Sequence, residues 1–218
     1  MAGVGGPDEV GLTTGEWAVL GLLASGPIHG FALAKKLQAD GALGRVWSLR
    51  APLVYRALQS LVLKRLATVS GEERSELGPQ RRLFEITGAG RARLDRWLEQ
   101  PVRHTRDVRS QLMLKLALGS LLQRDMTALV AAQKKQLLPQ LGGLERQVAD
   151  ADGFARDLAI WRVEAVRGVL RFLDRVEEPD QGPAPEGSSP GESARESSAG
   201  ERRRRHSSKS ASVRSLGG

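Results

Sequence analysis

The order of the apolar patterns in the first hundred residues is the feature that most constrains the fold. Three segments with helical spacing come first, running from about Thr14 to Leu23, from about His29 to Gln38 and from about Pro52 to Lys64. Two short segments typical of β-strands follow at 67–70 and 83–86, joined by a long polar loop with several arginines. Three helices followed by a hairpin predict a winged helix-turn-helix domain.

The third helix carries the most informative pattern. Pro52 lies in its first turn, where the missing N–H costs nothing, and Val54, Leu58 and Leu61 form an inward stripe. Its outward face, together with the hairpin, offers donors for phosphates and base edges, as a recognition helix and a basic wing require. The side chains predicted to bind DNA are Tyr55, Arg56, Gln59, Ser60, Lys64, Arg74, Arg81 and Arg82.

Helix-start signals place the other elements of this region. Thr14 is the predicted cap of the first helix, which is apolar nearly all round and is therefore expected to be buried. Thr87 is the predicted cap of a fourth helix, which runs from Gly88 to about Gln100 and is stopped by Pro101.

The chain beyond Pro101 is predicted to be helical, at about 106–122, 127–150 and 153–176, with a kink near Pro139 and Gly142. Apolar residues spaced by three and four mark the last helix, and this stripe needs a partner surface. We expect helix pairing between two subunits, with packing inside one chain as the alternative. The predicted dimerisation residues are Leu158, Trp161, Ala165, Val169 and Phe172.

Composition changes at residue 177 to Pro, Gly, Ser, Glu and Arg, which cannot bury enough apolar surface to fold. We therefore expect a mainly α-helical protein with a flexible N-terminus at 1–13, a winged helix-turn-helix DNA-binding domain at 14–101, a helical dimerisation domain at 102–176 and a disordered tail at 177–218. The cluster Arg202–Arg205 in this tail either attracts phosphates or solubilises the chain.

Net charge and residue types restrict the function. The formal net charge of +8 favours a polyanionic partner such as double-stranded DNA, and the lack of cysteine excludes disulfides and thiolate chemistry. The longest apolar runs are too short to cross a membrane and no secretory signal is evident, so a cytoplasmic protein is expected. The three histidines have no ligand cluster around them and no catalytic motif is present, so we expect no metal, no cofactor and no enzyme activity.

Four segments in this order resemble the PadR family of transcriptional regulators. They are Leu20-Gly21-Leu22-Leu23 with Gly26-Pro27-Ile28-His29-Gly30-Phe31, then Val54-Tyr55-Arg56-Ala57-Leu58 with Leu61, then Arg81-Arg82-Leu83-Phe84-Glu85-Ile86-Thr87 with Gly90, and Arg106-Asp107 with Leu114-Lys115-Leu116-Ala117-Leu118. The resemblance implies a homodimeric winged-helix repressor, commonly relieved by a small aromatic or cationic molecule or by another environmental cue. The two-fold symmetry of such a dimer predicts an inverted-repeat operator. The resemblance also implies DNA contacts at Tyr55, Arg56, Arg81 and Arg82.

Two residues depart from the family pattern: Leu53 replaces a small or hydroxyl-bearing residue, and Arg65 replaces a helix-ending glycine. A possible effector pocket is predicted between the two domains or at the dimer centre, with aromatic walls from Trp17, Trp97, Phe154 and Trp161. The alternative function is a winged-helix protein–protein interaction module without specific DNA binding, and an effector-binding regulator of the MarR type is a third reading.

Overall fold

The computed structural model describes residues 11–75 and 78–177, without the side chains at positions 74, 75, 78 and 79. Most of the predicted N-terminal segment, the side chain of Arg74 and the predicted tail from residue 178, including Arg202–Arg205, lie outside the described residues.

The described elements follow each other in the order of a winged helix-turn-helix domain and a helical extension. In chain order they are α1 (Thr14–Leu23), β1 (Ile28–His29), α2 (Gly30–Lys36), α3 (Ala51–Leu63), β2 (Ala67–Ser75), β3 (Gly78–Ile86), α4 (Gly88–Glu99), a 3₁₀ turn (Thr105–Asp107), a π-helical turn (Val108–Leu112), α5 (Met113–Leu121), α6 (Thr127–Asp150) and α7 (Gly153–Glu177). The predicted fold class is confirmed for this part of the chain, and none of these helices is long and apolar enough to cross a membrane.

The N-cap of α1 is Thr13 rather than the predicted Thr14. The Thr13 hydroxyl accepts a hydrogen bond from the Glu16 N–H at 3.2 Å, and the Glu16 carboxylate accepts one from the Thr13 N–H at 2.7 Å. This reciprocal capping box satisfies two backbone donors that the helix itself leaves free. The box explains why the cap lies one residue before the predicted position.

The wing is larger than predicted. β2 and β3 pair antiparallel from Ala67↔Ile86 to Ser75↔Gly78, so most of the predicted polar loop is strand. Backbone hydrogen bonds hold such a hairpin without an apolar alternation, and for that reason the sequence pattern did not reveal its length. The two-residue strand β1 also pairs with β3, giving the sheet order β1-β3-β2.

Apolar side chains of the described residues form two clusters. The first joins α1–α4 and includes Leu114 and Leu118 of α5, and in it the rings of Trp17 and Trp97 stack with centroids 4.5 Å apart. The second lies between α6 and α7 and takes in residues from the π-helical turn that precedes α5. The segment around α5 therefore contributes to both clusters.

The helix α6 runs from Thr127 to Asp150, the predicted bounds, and continues through Pro139 and the following glycine pair, where a kink was predicted. Proline removes one backbone donor, but Pro139 is solvent-exposed, so the freed carbonyl one turn earlier can be hydrated.

The face that α7 buries within the chain is not the predicted stripe. Ala159, Val163, Val166 and Leu173 are buried, whereas Trp161 is 67% exposed and Phe154 is 80% exposed. The other stripe residues, Leu158, Ala165, Val169 and Phe172, are half-buried at the edge of the α6–α7 contact. Packing inside one chain thus covers part of this stripe and leaves Trp161, with the neighbouring Phe154, exposed.

Candidate nucleic-acid interface

The helix α3 separates an apolar face from a polar one, as its spacing predicts. Val54, Leu58 and Leu61 are buried against α1 and α2, and Ala57 joins them. On the other side, Arg56 and Gln59 are exposed and Tyr55 is 43% exposed. Leu53, the departure from the family pattern, is also exposed and offers no hydrogen-bonding group.

Two of the residues predicted to bind DNA, Ser60 and Lys64, have an internal partner instead. The carboxylate of Glu16 accepts hydrogen bonds from the Ser60 hydroxyl at 2.6 Å and the Lys64 ammonium at 2.5 Å. Burial raises the pKa of Glu16, but the hydrogen bonds from Lys64, Ser60 and Thr13 outweigh this effect and lower it to about 2. Helical spacing could not predict this contact because Glu16 and Lys64 are 48 residues apart.

Tyr55 is held in place by the start of α2. A side-chain carbon built on Gly30 would lie 2.5 Å from Tyr55 Cε1, so this close approach requires glycine. His29 caps α2, its Nδ1 accepting a hydrogen bond from the Ala32 N–H at 3.0 Å. The first turn of α2 thereby fixes the ring that α3 presents to solvent.

The wing brings its arginines to the same region. Arg81 and Arg82 are exposed on β3, and the Arg81 guanidinium lies 5.5 Å from the centroid of the Phe31 ring. Tyr55, Arg81 and Arg82 line one cavity of about 350 Å³, together with the first turn of α2. The predicted helix and wing residues therefore meet around a common surface.

Arg56 lies on a neighbouring stripe of α3, in a second groove of about 670 Å³ beside the N-terminus of α1. Ser60 and Lys64 line the same groove. The polar face of α3 thus has two sides, one facing the wing through Tyr55 and one facing α1 through Arg56.

Phe31 and His29 also line this surface, which helical spacing did not predict. Phe31 is 61% exposed and its ring stacks on that of His29, with centroids 6.2 Å apart. The sequence did contain one signal for this surface, because Phe31 is a large aromatic residue directly after the glycine that starts α2. Periodicity could not show that the preceding residues, Ile28 and His29, pair with β3.

The four predicted walls of an effector pocket do not come together. Trp17 and Trp97 stack inside the first apolar cluster, each 8% exposed, whereas Phe154 and Trp161 are exposed on α7. Trp161 instead lines a cavity of about 530 Å³ with residues of the 3₁₀ and π-helical turns and of α6. Among the described residues no group of three or more His, Asp or Glu is placed to hold a metal ion.

Part of the chain is similar to known transcriptional regulators. Residues 19–96 match the profile of the Transcriptional regulator PadR-like family, and no curated protein matches the chain. A crystal structure of Bacillus subtilis PadR in complex with operator DNA is similar at 20% identity and a TM-score of 0.38, with 74% of this chain and 96% of that chain covered.

Two further structures are similar. Bacillus subtilis PadR in complex with p-coumaric acid has 21% identity and a TM-score of 0.34 over 79% of this chain and 96% of that chain. The PadR-like transcriptional regulator BC1756 from Bacillus cereus has 19% identity and a TM-score of 0.33 over 75% of this chain and 99% of that chain. The matched segment 19–96 contains α2, α3 and the wing, and over this segment the chain is similar to the PadR-like family of transcriptional regulators.

Proposed function

We propose that this protein is a sequence-specific transcriptional regulator that binds double-stranded DNA as a homodimer at an inverted repeat. The observation that supports it best is the meeting of the polar face of α3 with the basic wing around one surface. In this proposal α3 enters the major groove and the wing contacts the backbone beside it.

Each side chain has a role that follows from its chemistry. Arg56 can donate two hydrogen bonds to guanine, and Gln59 can both donate to and accept from adenine. Arg81 and Arg82 pair with phosphates, which positions the protein without specifying a sequence. Ser60 and Lys64 are left out of the proposed base-reading set because Glu16 already holds their polar groups.

We propose a second subunit because the predicted apolar stripe of α7 is only partly covered within one chain. Phe154, Trp161 and Val176 are exposed on the same helix face as the half-buried Leu158 and Phe172. A second copy of α7 would remove these side chains from water. Two-fold symmetry would also place two α3 helices about one DNA turn, roughly 34 Å, apart or a multiple of it.

A small-molecule effector is proposed for the cavity beside Trp161. Arg106, Arg109 and Arg162 line it together with His104, so an indole face and several cations surround the same space. This chemistry fits a planar anion, which can stack on the ring and pair with a guanidinium. Fluorescence titration with aromatic carboxylates tests it: quenching in the wild type that is lost in Trp161→Phe supports the site, and equal quenching in both excludes it.

Selection of bound sequences from a random duplex pool tests the main proposal. An inverted repeat should be recovered, and the affinity for it should fall steeply as salt rises. Arg56→Ala with Tyr55→Ala should weaken operator binding and relax the sequence preference, at about 1–3 kcal/mol for each base-reading side chain. Arg175→Ala, an exposed arginine on α7, is the matched control and should bind normally.

The alternative, a protein-interaction module, predicts little duplex binding at any salt concentration. Repression, the proposed direction of regulation, is tested by transcription in vitro from a promoter that carries the selected site. Added protein should lower the amount of transcript, and a rise would make the protein an activator.

A further inference from the structure

The wing contains an oppositely charged cross-strand pair whose members do not bind each other. Glu73 on β2 lies directly across from Arg81 on β3 in the strand register. Opposite charges at such positions normally attract. Yet within the described ranges no ion pair joins Glu73 to Arg81.

Each of the two side chains instead contacts one ring at the start of α2. The Glu73 carboxylate lies 3.8 Å from His29 Nε2, and the Arg81 guanidinium lies over the Phe31 ring at 5.5 Å from its centroid. His29 is oriented for this contact because its Nδ1 already caps α2, which leaves Nε2 to face the wing. The stacked His29–Phe31 pair thus holds Glu73 and Arg81 on separate partners.

The difference between the two partners matters for phosphate binding. A carboxylate pairs with the edge of a guanidinium and occupies its N–H donors, whereas an aromatic ring contacts the flat face and leaves those donors free. Arg81 on Phe31 can therefore still donate to a DNA phosphate, while Arg81 on Glu73 could do so only after breaking an ion pair.

We propose that Phe31 is a positioning residue for DNA binding: its ring holds the Arg81 guanidinium away from Glu73 and keeps its donors free for a backbone phosphate. This inference rests on the proposed function, because it assigns a role to the wing in contact with DNA. Phe31 itself does not read bases in this account. Its exposed ring serves the wing rather than the apolar core.

Variants of the full chain test this role with two probes, the selected operator duplex and a random duplex of the same length, over a series of KCl concentrations. Phe31→Leu keeps an apolar side chain but removes the π face. It should weaken binding about fivefold to both duplexes and reduce the slope of log affinity against log salt by about two, the loss of one phosphate contact in each subunit of the dimer. Phe31→Tyr keeps the ring and should bind as the wild type does.

The decisive variant is Phe31→Leu with Glu73→Gln, which removes both the ring and the competing carboxylate. Affinity and salt slope should return to wild-type values, whereas Glu73→Gln alone should change them little, because Arg81 is already free of Glu73 when Phe31 is present. Leu138→Ala, which removes an exposed apolar side chain on α6, far along the chain from the wing and α3, is the matched control and should change neither. Circular dichroism establishes that each variant is folded.

An unchanged salt slope in Phe31→Leu, or no rescue by Glu73→Gln, would overturn the proposal. Arg81→Ala separates this failure from that of the proposed function. If Arg81→Ala flattens the slope and Phe31→Leu does not, Arg81 contacts phosphate without help from Phe31. If Arg81→Ala binds as the wild type does, Arg81 does not contact DNA, and both its proposed phosphate contact and the proposed role of Phe31 are wrong.

Discussion

The carboxylate of Glu16 accepts four hydrogen bonds although its side chain is only 7% exposed. Thr13 donates through its N–H and its hydroxyl, and Ser60 and Lys64 donate from α3. A buried carboxylate destabilises a fold unless its charge and its lone pairs are matched. Here they are, so one residue both starts α1 and fastens the proposed recognition helix to it.

Replacing Glu16 by Gln should destabilise the protein by about 1–3 kcal/mol at neutral pH, because Lys64 loses its counter-charge while remaining partly buried. The folded pKa of about 2 lies below the ordinary glutamate pKa of 4.5. The stabilising contribution of the charge is therefore complete above about pH 5 and disappears as the pH falls toward 2. Denaturant unfolding of both proteins across this range measures it, and a difference between them that is constant with pH would contradict the assignment.

Arg65 ends α3 in the left-handed conformation, with φ 59°. Its N–H donates to the Val62 carbonyl and the Leu66 N–H donates to the Leu61 carbonyl, each at 2.9 Å, the pattern of a Schellman cap. The structure thus keeps the cap geometry at the position where the sequence departs from glycine.

Arg65→Gly should raise the free energy of unfolding by about 1 kcal/mol, because a side chain at positive φ costs roughly 1–2 kcal/mol and glycine loses part of that gain in unfolded-chain entropy. Gln123, with φ 52° at the end of α5, should respond in the same way. Ala92→Gly at an exposed position within α4 is the control and should lower stability. Lower stability in Arg65→Gly would mean that the arginine side chain makes a contact worth more than the strain.

At this scale, periodicity predicted which α3 residues face outward but not which of them are already engaged. Helical spacing depends on neighbours three or four positions away, and it predicted the exposed Tyr55, Arg56 and Gln59 correctly. Ser60 and Lys64 both donate to Glu16 on α1, and helical spacing within α3 contains no information about a contact with another helix.

Among the elements, α5 is joined to α4 by a buried lysine. Lys115 is 2% exposed, and its ammonium donates to the carbonyls of Trp97 and of Gln100, the latter at 2.7 Å. It also lies 4.3 Å from the centroid of the Trp97 ring, which stacks on Trp17. Carbonyls and a π face can satisfy an ammonium without any carboxylate, so this contact ties the helical extension to the C-terminal end of α4.

Burial lowers the pKa of Lys115 from 10.5 to about 8. Between these two values the unfolded chain binds more protons at this position than the folded one, so stability rises with pH there. The unfolding free energy of the wild type relative to Lys115→Met should therefore rise by up to about 3 kcal/mol between pH 8 and pH 10.5. Paired unfolding curves in this range measure it, and Lys135→Met, at an exposed position on α6, should show no such pH dependence. If the difference in unfolding free energy between the wild type and Lys115→Met does not change with pH in this range, the folded protein keeps the Lys115 ammonium protonated.

Element types followed from the sequence more closely than element lengths. The wing strands extend well past their apolar ends because hydrogen bonds continue through Gly71 to Ser75 opposite β3. The π-helical turn before α5 and the two-residue β1 also have no periodic signal of their own. Such features arise from packing and pairing between distant segments, which is information that a single amphipathic pattern does not contain.

At the scale of the whole molecule, the exposed apolar face of α7 bears on the oligomeric state. The sequence indicated an apolar stripe, and the structure divides this helix into a face buried against α6 and a neighbouring face that remains largely open. Exposed side chains as large as Phe154 and Trp161 on one face are typical of an interaction surface. A two-fold DNA site gives a reason for the partner to be a second copy of the same chain.

Placing charges on this face should separate the proposed dimer without disturbing either apolar cluster. Trp161→Glu with Phe154→Glu changes side chains that are 67% and 80% exposed, so each subunit should keep its fold while the paired helices repel each other. Sedimentation should show the wild type as a dimer at micromolar concentration and this variant as a monomer. The variant should also bind a full inverted repeat much more weakly than the wild type does, because its two subunits no longer bind the half-sites as one linked unit. Leu63→Glu, an equally drastic change at an 84% exposed position on α3, should leave the dimer intact. A wild-type monomer at that concentration would show that α7 is covered by something other than its own copy, and the inverted-repeat operator would lose its structural basis.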